Sequence, residues 1–239
     1  AHTGQVLPLD KQGQVIGPDS ADTQLAQVLF NLEAALAAAG SGTEHLVKLN
    51  LYVDGPRTAG KIKKMFAKRF PAPVRPAMSW VSTPLPYPGM ILALDAVAVV
   101  PDDGPDKVVR TRCEALAGDA KMADVAVLPC GEAVYVSGMS AKGDMASATA
   151  DTMKQLMETI GLLGLDGDQV VQLKAFVGSM DEADTIRKEM AKTFSGRVAS
   201  PAMLVQWTSA GSIEIEMIVA AGPRKSDARP SETVSYFTP

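Results

Sequence analysis

The sequence predicts an α+β fold of two tandem β-α-β-α-β units. Three observations predict it. The first is an internal repeat. Met153, Leu156, Ile160 and Gly164 stand 124 positions after Leu29, Leu32, Leu36 and Gly40, and Val170–Val177 lies over Leu46–Val53 at the same offset. The second is a periodicity that alternates along each unit between helical spacing and strict in–out alternation. The third is composition: of 239 residues, 46% are hydrophobic and 21% charged, which suits two buried cores and excludes a disordered chain.

The elements follow in order. Ala1-His2-Thr3-Gly4 reads as the end of an element already under way, and Gly4–Asp10 leaves it for a polar loop. Ser20 and Asp22 are N-cap candidates for a helix in which Leu25, Val28, Leu29, Leu32 and Leu36 keep helical spacing and Gly40 closes the run. Leu46–Val53 alternates as a half-buried strand, with Val47, Leu49, Leu51 and Val53 on one face and Lys48, Asn50 and Tyr52 on the other. Asp54-Gly55-Pro56 turns into a second helix carrying Ile62, Phe66 and Phe70, which Pro71 and Pro73 end. Pro73-Val74-Arg75-Pro76-Ala77-Met78 and the apolar run Met90–Val100 supply the last strands, and Pro101–Asp106 is a linker. The first unit is therefore 1–104.

The second unit, 105–222, repeats the order. Val125–Pro129 and Ala133–Ser137 read as a pair of strands around Cys130-Gly131-Glu132. Ile186, Met190 and Phe194 lie over Ile62, Phe66 and Phe70. Ser200-Pro201-Ala202-Met203 and Ser212–Ala220 repeat the closing strands. Residues 223–239 are a polar tail.

Several function classes are excluded. A net charge of −4 leaves no basic footprint for nonspecific nucleic-acid binding. The two cysteines, Cys113 and Cys130, form no CxxC pair, so neither a disulfide framework nor a thiolate zinc site is expected, and both read as small buried residues. The apolar run Met90–Val100 is too short for a membrane span and carries Asp95. Gly138-Met139-Ser140-Ala141-Lys142 lacks the last glycine of a nucleophile elbow. His2 and His45, the only histidines, make no evident acid–base pair. No motif calls for a metal or a cofactor.

The chemistry concentrates in the closing strands. In the first unit Arg75 opens one closing strand and Asp95 lies within the next; the repeat keeps an acid, Glu216, but has Ser200 in place of the arginine. A guanidinium grips a carboxylate through two parallel charge-assisted hydrogen bonds. Asp95 is placed to move a proton. The backbone N–H of Gly4 is a further candidate donor to the same anion, and Glu214 is expected to point away from Glu216.

The ordered set Thr3-Gly4-Gln5, Pro8-Leu9-Asp10, Asn31-Leu32, Ala38-Ala39-Gly40, Leu46-Val47-Lys48, Pro73-Val74-Arg75 and Leu94-Asp95-Ala96 resembles the Rid family, also called YjgF-like or L-PSP proteins. The second unit resembles it more loosely, through Ser137-Gly138, Leu163-Gly164, Val170-Val171 and Glu216. The resemblance implies a chorismate-mutase-like fold, a sheet backed by two helices, with three domains packed as a barrel, hence a homo-oligomer, here a trimer of tandem domains. It also implies hydrolysis of enamines and 2-imino acids to keto acid and ammonia. Composition and motifs add the expectation of a cytoplasmic protein without cofactor, metal, nucleic acid or membrane. Some members are described instead as ribonucleases or as ligand binders. Carried over, Arg75 and Asp95 are the catalytic residues, Arg75, Thr3 and Gly4 bind a small carboxylate-bearing substrate, and Glu216 with Gly138 mark a second, degenerate site. This chain departs from the family in four places. Thr3 replaces serine, Asp95 replaces glutamate, extra residues lie around Ser82–Gly89, and the family's first two strands fall before Ala1.

Overall fold

The computed structural model describes residues 1–69, 76–101, 104–207, 211–222 and 237. The chain runs β1 (His2–Thr3), α1 (Ala21–Ala38), β2 (Leu46–Val53), α2 (Pro56–Arg69), β3 (Ala77–Ser82) and β4 (Leu92–Ala98). It continues β5 (Val109–Thr111), β6 (Val125–Val127), β7 (Glu132–Met139), α3 (Met145–Gly161), β8 (Val170–Val177), α4 (Ala183–Lys192), β9 (Ala202–Gln206) and β10 (Ile213–Gly222). The strands form two sheets, β3-β2-β4-β1-β6-β5 and β7-β10-β8-β9. Among the described residues no helix is long and apolar enough to cross a membrane.

The repeat is visible in the pairing. In each sheet a strand pairs in parallel with the strand after the next helix and antiparallel with the closing strand: β2 with β3 and β4, β8 with β9 and β10. α1 starts where Ser20 accepts from the Thr23 N–H, while Asp22 in the first turn holds Lys61 at 2.8 Å. The apolar stripes of α1 and α2 cover one face of the first sheet through Leu29, Leu32, Leu36, Ile62 and Phe66. In the second sheet Met153, Leu156, Ile160, Ile186 and Phe194 do the same.

Two expectations change. Val47 does not share the face of Leu49 and Leu51. The ladder slips one residue between Leu46 and Lys48 opposite Ala98 and Val97, and this bulge sends Leu46 into the core and leaves Val47 49% exposed. The second unit repeats the slip at Val171, between Val170 and Gln172. The segments read as a pair of strands around Gly131 also do not pair with each other. Residues 125–127 lie on the free edge of β1, antiparallel, with His2 opposite Ala126, whereas β7 lies against β10. The strands β5 and β6, counted with the second unit from sequence, are thus part of the first sheet.

This exchange ties the units together. Gln5 donates its N–H to Ala202 O at 3.1 Å and its side-chain amide to Leu204 O at 3.0 Å, and Gln172 donates to Thr3 O at 2.7 Å. The sheet faces away from the helices meet in an apolar cluster of Tyr52, Ala93 and Val205, with Phe176 and Leu85 at its margin.

Candidate functional site

Alternation places Lys48, Asn50 and Tyr52 of β2 and Asp95 of β4 on the first sheet's inner face, since Asn50 stands opposite Asp95 in the ladder. The second sheet does the same with Gln172 and Lys174 of β8 and Glu216 of β10, Lys174 standing opposite Glu216. Lys174 lies 124 positions after Asn50, so Asp95 and Glu216 occupy equivalent places in the two units. Both line one cleft of about 550 Å³, together with His2, Lys48, Gln172 and Lys174.

Asp95 is 2% exposed. The Tyr52 hydroxyl donates to its Oδ1 at 2.5 Å and the Asn50 amide to its Oδ2 at 2.8 Å. Burial raises the Asp95 carboxyl above the ordinary carboxylate range, and those two hydrogen bonds together with Lys174 and Lys48 only partly offset it. The Tyr52 hydroxyl is pushed up by its own burial and then by the charge of Asp95, with a smaller push from Glu216. Glu216 has a direct partner in Lys174, at 3.5 Å. His2, 8% exposed, is lowered to about 4, by burial first and by the N-terminal charge second, and its Nδ1 has no hydrogen-bond partner among the described residues. The arrangement can therefore hold a small polar molecule between two cations while offering it a carboxyl that burial disposes to hold a proton.

The other residues singled out from sequence lie as follows. Arg75 is outside the described residues. Thr3 is fully buried, and its Oγ1 accepts from the Ala96 N–H at 2.9 Å, so the side chain braces β4 beside Asp95 instead of lining the cleft. The Gly4 N–H donates to Asp124 O at 2.7 Å and is not a free anion donor. Glu214 shares the face of Glu216, since residues two apart on a strand point the same way, and its carboxylate lies across Gly138 where a side chain would sit. Cys113 is buried but Cys130 is exposed.

One residue was missed. At the place where the second unit lacks an arginine, Ser200 is fully buried and accepts from Arg110 Nε at 2.9 Å. The same guanidinium donates to Val170 O at 2.9 Å and to Gly167 O, and lies 5.2 Å from the Phe194 ring centre. Burial, then the nearby Arg197, lowers Arg110 to about 10. The available signal was an arginine closing a short apolar pair, Val108-Val109-Arg110, though Lys107 and Arg112 beside it blur that signal. Arg197, the other arginine near this place, pairs at the surface with Asp168.

Comparison with known proteins gives consistent relatives. The family model described as Endoribonuclease L-PSP matches residues 1–100. A RutC family protein of Synechocystis sp. is 30% identical over 100 residues, which span 41% of this chain and 77% of that protein. Among solved structures, the Rid family protein YyfB from Yersinia pestis is 17% identical with a TM-score of 0.43, over 48% of this chain and 98% of its own. Yeast Mmf1 is 23% identical with a TM-score of 0.37, over 41% and 77%.

Proposed function

The chain belongs to the RutC family, whose relatives carry the names Rid and L-PSP, and from that premise we propose that it hydrolyses small 2-imino acids or their enamine tautomers to keto acid and ammonia in the cleft between the two sheets. The observation that supports this reading is Asp95: a carboxyl 2% exposed, raised by burial, on the wall of an open cleft. In its protonated form it gives its proton to the imine nitrogen, which makes the carbon electrophilic. Water adds to that carbon, and the Asp95 carboxylate takes the proton the water loses. The same proton then goes to the amino nitrogen, the C–N bond breaks and ammonia leaves, and the hydroxyl proton returns to the Asp95 carboxylate as the carbonyl forms. Lys48 and Lys174 are the cations within the cleft that can hold the substrate carboxylate. Arg75 is the cation that the family resemblance names for that task. In this reading the second unit supplies half of one site through Lys174 and Gln172.

The test is hydrolysis of an imino acid made in situ by an amino-acid oxidase, in competition with semicarbazide. Asp95→Asn should lower kcat by about 10²-fold or more, the usual worth of a positioned acid–base group, with KM little changed. Lys174→Ala and Arg75→Ala, compared, identify the carboxylate anchor by the larger rise in KM. Wild-type activity in Asp95→Asn would refute the assignment.

A second reading has its own observation. Both Asp95 oxygens already accept hydrogen bonds and Lys174 already pairs with Glu216, so these three side chains are satisfied without any reaction. A folded wild-type protein that binds a 2-oxo acid, loses it on Lys174→Ala and turns over no imine would select a binding protein. The ribonuclease reading is disfavoured by the net charge of −4 and by His2, which is lowered to about 4 and so is neutral at pH 7.

A further inference from the structure

A second cleft of about 810 Å³ shares no lining residue with the one around Asp95. It is enclosed by the segment after β1, the loop 117–123 and one side of α4, so both units build it. Its ionisable lining opposes the sign of the chain. Five cations, Lys121, Arg187, Lys188, Lys192 and Arg197, face two carboxylates, Asp119 and Asp184, in a protein of net charge −4.

The pairing of these cations decides which are available. Lys192 is held by Glu189 at 2.6 Å and Arg197 by Asp168, neither acid being in the lining. Arg187 has a weaker hold. Its side chain is 17% exposed, its partner Asp184 is 82% exposed at 3.5 Å, and Asp184 also accepts from the Tyr87 hydroxyl at 3.3 Å. Lys121 and Lys188 have no acidic partner among the described residues. A half-buried guanidinium and two unpaired ammonium groups thus converge on one hollow, and Leu7, Leu9 and Met122 give it an apolar floor.

We propose that this cleft binds a small organic phosphate. The guanidinium fork of Arg187 matches two phosphate oxygens, and Lys121 and Lys188 complement the remaining charge of a dianion as point charges. The apolar floor takes the rest of the molecule, and the volume lies within the range of small-ligand sites. A carboxylate monoanion would leave part of the cationic charge uncompensated. A long polyanion such as RNA would have to lie along a chain of net negative charge.

The experiment is calorimetric titration of the whole protein with adenosine 5′-monophosphate, ribose 5-phosphate and inorganic phosphate at low ionic strength. Saturable binding is expected, tightest for the nucleotide because only it covers the apolar floor, and weaker as salt is raised. Arg187→Ala should weaken nucleotide binding about tenfold or more, the loss expected for one charge-assisted contact. Arg187 is largely buried, so the double variant Lys121→Glu/Lys188→Glu, at two exposed positions, carries the test independently of folding. It should abolish binding, while Lys154→Glu on α3 should leave it unchanged. Equal affinity for inorganic phosphate and nucleotide would overturn the organic-phosphate assignment. Binding unaffected by Lys121→Glu/Lys188→Glu, no binding at millimolar concentration, or preference for an RNA oligomer would overturn the site.

Discussion

Tyr52→Phe removes one oxygen and tests the site where it is most sharply defined. The Tyr52 hydroxyl donates to Asp95 at 2.5 Å, with Tyr52 1% and Asp95 2% exposed, so no bulk water can replace it. A hydrogen bond to a charged partner contributes about 1.5–3 kcal/mol, and one to a neutral partner about 1 kcal/mol. The cost of the substitution therefore depends on the charge of Asp95. Burial raises the folded-state pKa of Asp95, so the stability linked to its protonation is complete below the unfolded carboxylate range and is lost as pH rises through the folded value. Removing Tyr52 deletes a donor that lowers that pKa, and the folded value moves further up. The difference between wild type and variant should then be about 1 kcal/mol in acid, where Asp95 is protonated, and roughly 2–3 kcal/mol on the alkaline side of its folded pKa, where it is charged. At roughly 2–4 °C per kcal/mol for a chain of this size, the alkaline Tm difference is about 4–12 °C. Thermal unfolding by circular dichroism at the two pH values measures it. In an Asp95→Asn background the pH dependence should vanish, because the titrating partner is gone. A Tm difference that is equal at both pH values, or larger in acid, would refute the account of Asp95.

Three further outcomes follow from other parts of the fold. Arg110→Ala should cost roughly 3 kcal/mol in urea unfolding, since it strips Gly167 O of its donor and uncovers Phe194, and Arg110→Lys should recover only part because it lacks the fork. Ser200→Ala should cost about 1 kcal/mol for its hydrogen bonds to Arg110 and Val170; a change within error would mean that Arg110 is held by the carbonyls alone. We also propose that copies of the chain associate over the open end of the Asp95 cleft. Val171 is fully buried against Ala126 and Ala220, its repeat counterpart Val47 is 49% exposed, and Tyr135 beside it in the cleft lining is 74% exposed. Sedimentation should report a particle larger than one chain, and Val47→Asp should shift it toward the monomer; a wild-type monomer at all concentrations would sink the proposal.

How much of this was legible in the sequence depends on the range of the interaction. Local patterns read well. Leu46–Val53 and Val170–Val177 are strands over those residues, Ser20 caps its helix, and the apolar stripes of the helices face the sheets. The bulge at Val47 escaped because Val47 is as apolar as Leu49, and nothing in a strand pattern marks an inserted residue. The partner of β6 escaped for a different reason. Val125-Ala126-Val127 suits either sheet, and the choice rests on an edge of β1 more than 100 residues away. Arg110 escaped because two of its acceptors are main-chain carbonyls, which no side-chain pattern records, and the third, Ser200, lies 90 residues away.

The shared cleft was closer to legible than it seemed. Alternation puts Asp95 on the face of Asn50 and Glu216 on the face of Lys174, and the repeat makes these positions equivalent. Two related sheets that cover their outer faces with helices have only their inner faces left to pack, so equivalent residues are brought toward each other. What the repeat could not reveal is how the copies diverge around the two acids. Where the first unit has Asn50 and Tyr52, two neutral donors, the second has Lys174 and Phe176. Asp95 is buried with those donors on its oxygens and raised by that burial, whereas Glu216 is more exposed and faces its own cation at 3.5 Å. Chemistry that needs one carboxyl holding a proton beside one that stays paired requires such a difference between neighbours. A duplicated unit creates it by letting the positions around its acid diverge.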